Sequence, residues 1–181
     1  MSTDPKKPTT EEVGSGSEVG AGTHAETSKI WPTTGSASVH IATTAKAAYA
    51  YVTDLDKAPN LSPENQKCVF TGDSTKIVEG ATFKGTNKAG DYEWSVDCVV
   101  VTARLGEKFA FSVPPDWEYA TTWTYTFAPD ADGKGVTVTE SFDSPMLADP
   151  DIYPGQIEGR CEQLTSACAI TLNNLKIALE A

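Results

Sequence analysis

Between Tyr119 and Phe142 the chain alternates large apolar side chains with hydroxyls. In Tyr119-Ala-Thr-Thr-Trp-Thr-Tyr-Thr-Phe127, Trp123, Tyr125 and Phe127 fall on one parity and Thr122, Thr124 and Thr126 on the other. A period of two sends successive side chains to opposite faces of a strand, so the aromatics share one face. After an Asp130-Ala-Asp-Gly133 turn, Val136, Val138, Glu140 and Phe142 share a face against Thr137, Thr139 and Ser141. The pattern predicts two half-buried antiparallel strands joined as a hairpin.

The end of the chain has a different period. Ile157, Cys161, Leu164, Cys168, Leu172, Leu175 and Leu179 recur at steps of three and four, the stripe of a long helix with one apolar face. Upstream, Ser38-Val-His-Ile41 reads as a short first strand, and Thr43 or Thr44 can cap a helix carrying Ala45, Ala48, Tyr49 and Val52. Pro59 and Pro63 limit the next stretch to a second short helix and a turn. Strands are predicted over 66–71, 81–87, 92–103 and 108–113, with a turn at Asn87–Asp91 and a stop at Pro114-Pro115-Asp116. This order is α+β: about seven antiparallel strands with a long helix laid across one face. Residues 1–30 hold scattered Gly, Pro, Ser, Thr and Glu with isolated valines. Such a stretch buries too little to offset its ordering entropy, so it is read as a disordered tail before a domain over 31–181.

Composition narrows the function classes. With 25 acidic against 14 basic residues the net charge is −11, which disfavours phosphate binding and hence nucleic acid. No run is apolar for long enough to span a bilayer, and the Met-Ser-Thr-Asp-Pro-Lys-Lys start has no apolar segment behind its lysines. Cys68, Cys98, Cys161 and Cys168 lie far apart in apolar periodic segments, as packed free thiols do. A reducing cytoplasm is expected. Of the two histidines, His24 is in the tail and only His40 is left to the fold. Nucleophile–histidine catalysis has one candidate base at most. Zinc spacing and a phosphate loop are missing, so no metal or nucleotide cofactor is expected.

One position breaks the apolar face. By alternation Glu140 points inward with Val138 and Phe142, where a carboxylate must be paired, solvated or neutralised by an upward pKa shift. A structural hydrogen bond, a bulge that turns the side chain outward, a ligand contact and general acid/base work all remain open for it.

The order of elements resembles the helix-grip fold of the START/polyketide-cyclase superfamily (SRPBCC, the birch-pollen-allergen fold), from about Ala37 to Ala181. The residues that carry the resemblance are Val39-His-Ile-Ala-Thr-Thr-Ala-Lys-Ala-Ala-Tyr49 through Val52-Thr-Asp54, Ser62-Pro63-Glu64, and Gly80-Ala-Thr-Phe83-Lys-Gly85-Thr-Asn87 before Trp94. Phe109-Ala-Phe111, Val138-Thr-Glu140-Ser141 and Thr171-Leu172 with Leu175-Lys176 complete it. Leu61 departs from the Trp, and Gln163 from the long-helix His, that similar bacterial sequences often have. The resemblance implies a cavity between sheet and long helix, entered near the loops, that holds apolar ligands. It does not imply one chemistry, since members include aromatase/cyclases, lipid and steroid carriers, quinone-binding proteins and hydrolases.

In such an interior Trp94, Trp123 and Tyr125 would line the aromatic wall with Asn87 as a polar fixture, although an ordinary core would look similar. Cys98, Phe111, Leu164 and Cys168 are further candidate lining positions. Trp117 would cover the entrance or simply pack on the surface. Arg160 would reach an acidic ligand group or Glu140, or else face solvent. Three functions are compatible with this reading. The first is binding of a small hydrophobic molecule such as a lipid, quinone or polyketide. The second is an aromatase/cyclase-type enzyme using Glu140 and Asn87, with Tyr125 as a third group. The third is an acidic protein-interaction module. The oligomeric state is left open.

Overall fold

The computed structural model describes residues 31–149, 151–152 and 158–181. The expected tail and Ile157, the first position of the helical stripe, lie outside the described residues. The elements are β1 (Thr34–Ile41), α1 (Ala45–Val52), α2 (Ala58–Leu61), β2 (Asn65–Phe70), β3 (Thr82–Ala89), β4 (Tyr92–Arg104), β5 (Lys108–Val113), β6 (Thr121–Pro129), β7 (Val136–Asp143), a 3-10 turn (Pro145–Ala148) and α3 (Arg160–Glu180). The strands form one seven-stranded sheet in the order β1-β7-β6-β5-β4-β3-β2, every neighbouring pair antiparallel. This is the expected α+β helix-grip architecture.

Several boundaries differ from the sequence reading, each for a local reason. β1 begins at Thr34 and not Ser38, because its inward positions there are Gly35 and Ala37, too small to register as an apolar pattern. β3 runs on to Ala89, and a two-residue Gly90–Asp91 hairpin turn replaces the expected five-residue one; Gly90 supplies its positive φ of 60°. β4 carries a bulge between Val100 and Thr102 that leaves Val101 outside. At α1 the cap is Thr44, whose Oγ1 accepts from the Ala47 N–H at 3.1 Å.

α3 turns Cys161, Leu164, Cys168, Thr171, Leu172 and Leu175 inward and packs most closely on β1. Polar clamps hold it along its length. At its start Arg160 donates through both terminal nitrogens to Glu64, at 3.0 and 3.3 Å. Further along, Asn174 Nδ2 donates to the Leu61 carbonyl at 2.9 Å. Near its end Lys176 Nζ donates to the His40 carbonyl, and Glu180 accepts from the Ala42 N–H. The apolar stripe fixes which face of α3 is buried, and the clamps fix where it lies along the sheet.

Gly35 marks a close crossing of helix and sheet. A Cβ there would run into Thr165 Oγ1 and come within 2.7 Å of the Phe142 ring. Thr165 cannot swing away freely, because its hydroxyl donates to the Cys161 carbonyl at 2.9 Å. Gly35→Val is therefore expected to lift α3 and to destabilise the fold by roughly 1–3 kcal/mol, the usual range for overpacking. Urea unfolding would measure it, and an unchanged midpoint would contradict the close crossing.

Candidate functional site

One cross-strand row on the inner face reads Ala37, Glu140, Tyr125, Phe109 and Ala103, from β1 to β4. Along β7, Glu140 lies between Val138 and Phe142, which belong to two separate apolar clusters. Val138 packs with Phe127, Tyr125 and Leu172, and Phe142 with Leu164, Cys168 and the half-buried Trp123. A carboxyl and a phenol thus form a polar seam between two apolar halves of the core. Glu140 is only 4% exposed. Tyr125 Oη donates to its Oε1 at 2.5 Å, while the buried Oε2 has no hydrogen-bond partner among the described residues. An unmatched buried polar atom is costly, and here it sits at the centre of the inner face.

Burial controls the protonation of this seam. It pushes the Glu140 carboxyl from an ordinary 4.5 up to about 8, and the Tyr125 hydrogen bond pulls it partly back. Among the described residues no cation contributes to this shift. Tyr125 is raised well above its usual value, by burial first and then by Glu140. Cys168, facing the seam from α3, is pushed up to about 12 by burial and then by Glu140. Cys98 is pushed up to about 12 by burial and then by Cys68. At neutral pH these shifts favour the uncharged forms of Glu140, Tyr125, Cys168 and Cys98.

The remaining expected residues scatter. Phe111 is in the inner aromatic group, edge-on to Phe83 and beside Phe109. Trp94 is half-buried and stacked on the exposed Tyr92. It lies roughly 30 Å down β4 from Ala103, at the strand rise of about 3.3 Å per residue, and so belongs to the β3–β4 hairpin end. Asn87, its cross-strand partner, accepts from Asn65 Nδ2 at 3.1 Å. Trp117 is 37% exposed and packs edge-on to Tyr119. Arg160 neither faces solvent freely nor is held by Glu140: its guanidinium is gripped by Glu64. No local pattern singles out Glu64, Asn65 or Cys68 for a role at the site. Asn65 orders the β2–β3 pair, receiving the Cys68 thiol on its Oδ1. The Ser62-Pro63-Glu64 motif offers an acid for Arg160, but only the fold shows that α3 starts beside it.

Clefts on the surface of the described residues include two of similar size. One of about 500 Å3 lies between the α1–α2 turn and the loop after β2, lined among others by Tyr49, Leu55, Cys68, Phe70 and Ile77. The other, of about 510 Å3 and shallow, runs beside α3 past Glu64, Gln163, Ala167 and Ile170. The hollow expected beneath α3 is neither of them: Trp123, Tyr125 and Glu140 line neither cleft. Among the described residues no group of three or more His, Cys, Asp or Glu could hold a metal ion, and no helix is long and apolar enough to cross a membrane.

Residues 32–180 match the family model described as polyketide cyclase/dehydrase and lipid transport. The chain belongs to this family. No curated protein matches the sequence. Among solved structures, the chain is similar to a START superfamily protein from Mycobacterium smegmatis, with TM-score 0.64 and 11% identity over 81% of this chain and 97% of that one. It is also similar to the Polyketide_cyc-like protein Cgl2372 from Corynebacterium glutamicum, with TM-score 0.56 and 26% identity over 82% and 91% of the two chains. A third similarity is to the di-domain ARO/CYC protein StfQ of the steffimycin biosynthetic pathway, with TM-score 0.59 and 17% identity; it covers 82% of this chain and 50% of StfQ. The Mycobacterium and StfQ likenesses show the fold alone.

Within this fold, the raised Glu140 carboxyl links stability to pH. Between pH 4.5 and about 8 the folded chain keeps a proton that the unfolded chain has released. The group's contribution is thus full below 4.5 and is lost as pH rises toward 8, on the order of 5 kcal/mol across the window. Glu140→Gln cannot ionise and keeps an acceptor for Tyr125. It is expected to flatten this slope and to exceed the parent chain in stability at pH 9, as read by urea midpoints across the range. Parallel profiles for the two proteins would show that Glu140 is not buried as described.

Proposed function

We propose that the chain binds a small, largely apolar molecule between the inner sheet face and α3, with Glu140 as its polar contact. The observation that carries this reading is the unpartnered, buried Oε2 of Glu140, set at the seam between two apolar clusters. A ligand atom there would complete a hydrogen bond that the chain leaves open, and apolar side chains on either side would supply the affinity. Family membership supports the reading, since its description covers lipid transport and polyketide chemistry. The cleft between the α1–α2 turn and the loop after β2 is the proposed way in. Its lining includes Cys68, near enough to Tyr125 to help raise its phenol. The four free, buried thiols favour a reducing compartment such as the cytoplasm.

A second reading has one observation in its favour. A carboxyl that holds its proton up to about pH 8 is matched to proton transfer near neutrality, as an aromatase/cyclase-type enzyme would need. A Glu140→Gln variant that folds normally and keeps full turnover of a polyketone would remove this reading.

Nile red, a neutral apolar dye, tests the binding site. Saturable blue-shifted emission at one dye per chain is expected at micromolar concentration, together with quenching of Trp123, which packs on Phe142 at the seam. Trp123→Phe is expected to abolish most of that quenching without abolishing the binding. No saturable emission, or quenching that survives Trp123→Phe unchanged, would contradict an interior site at Glu140.

A further inference from the structure

We infer that the ligand of this site is uncharged and presents a hydrogen-bond acceptor, such as a ketone, quinone or ester carbonyl, to Oε2 of Glu140. The inference rests on the binding reading above and specifies its chemistry. Tyr125 donates to Oε1, so that oxygen acts as acceptor. Among the described residues, Ala37 on β1 and Tyr125 on β6 flank the carboxyl and Cys168 on α3 acts on it, with the Cys68 thiol on β2 near enough to Tyr125 to raise its phenol. None of these is a cation that would hold Glu140 as a carboxylate. With both thiols and the phenol also held in their neutral forms, the proton of the acid belongs on the oxygen that Tyr125 does not occupy. Oε2 is then an O–H donor, buried and without an acceptor among the described residues.

This polarity selects between ligand classes. A carbonyl oxygen receives the Oε2 proton and leaves the interior uncharged. An alkylammonium ligand would instead require Glu140 to ionise, placing an ion pair in an apolar core whose remaining polar groups are already matched to a neutral acid. A pure hydrocarbon would leave the donor unmatched. The ketone thus gains where the amine and the hydrocarbon do not.

Three probes of nearly equal shape separate these cases: 1-acetylnaphthalene, 1-(1-naphthyl)ethylamine and 1-ethylnaphthalene, each competed against Nile red. At pH 7 the ketone is expected to displace the dye at least tenfold more effectively than the hydrocarbon. Between pH 7 and pH 9, as Glu140 ionises with its midpoint at about 8, the ketone is expected to lose roughly tenfold in affinity, because only the protonated fraction binds it. The hydrocarbon should show no such fall. Glu140→Gln, which carries an N–H donor and cannot ionise, should remove the fall for the ketone. An amine that binds best and gains affinity with pH would overturn the inference, as would a ketone no better than the hydrocarbon; in either case the binding reading itself survives. Failure of Nile red to bind at all would overturn that reading and this inference with it.

Discussion

A carboxyl group with half of its hydrogen-bonding capacity matched sits inside an apolar core, and the arrangement of the interior follows from it. Tyr125 takes one oxygen of Glu140. Burial keeps the proton on the acid. The apolar residues of β6, β7 and α3 divide into two clusters on either side of the pair. Packing alone would have been served better by a leucine at position 140, which would join the two clusters and remove the desolvation cost. A residue that weakens the fold, set where the sheet faces its covering helix, is a reason to look for its use outside stability.

The rest of the molecule holds that seam in place. Alternation on β6 and β7 aims Tyr125 and Glu140 inward in register. α3 presses Cys168 toward them, and its position is set by Gly35 beneath it and by polar clamps from Glu64 to Ala42. These clamps engage the loop before β2, the end of α2 and the end of β1 with the residue after it, so the helix is held at several points along its length.

Much of this was legible in the sequence because two periodicities are strong. The Thr-Trp-Thr-Tyr-Thr-Phe run and the Val-Thr-Val-Thr-Glu-Ser-Phe run state their faces residue by residue, and the structure keeps both. The stripe of α3 is likewise kept from Cys161 to Leu175. The features that could not be read depend on pairing across distance. That Arg160 meets Glu64, and Asn87 meets Asn65, needs the sheet order and the landing point of α3, and no local period contains either. Trp94 has the right parity for the inner face but the wrong position along β4, since parity says nothing of distance along a strand. The start of β1 was hidden because close helix packing demands Gly35 and Ala37, which carry no apolar signal.

The most direct test is the ionisation of Glu140 itself, followed by NMR of the side-chain carboxyl carbon in protein labelled at glutamate and assigned with Glu140→Gln. The account predicts a resonance that titrates near 8 and moves to higher pH when 1-acetylnaphthalene is bound. A midpoint at ordinary carboxylate values, unmoved by the ketone, would contradict it.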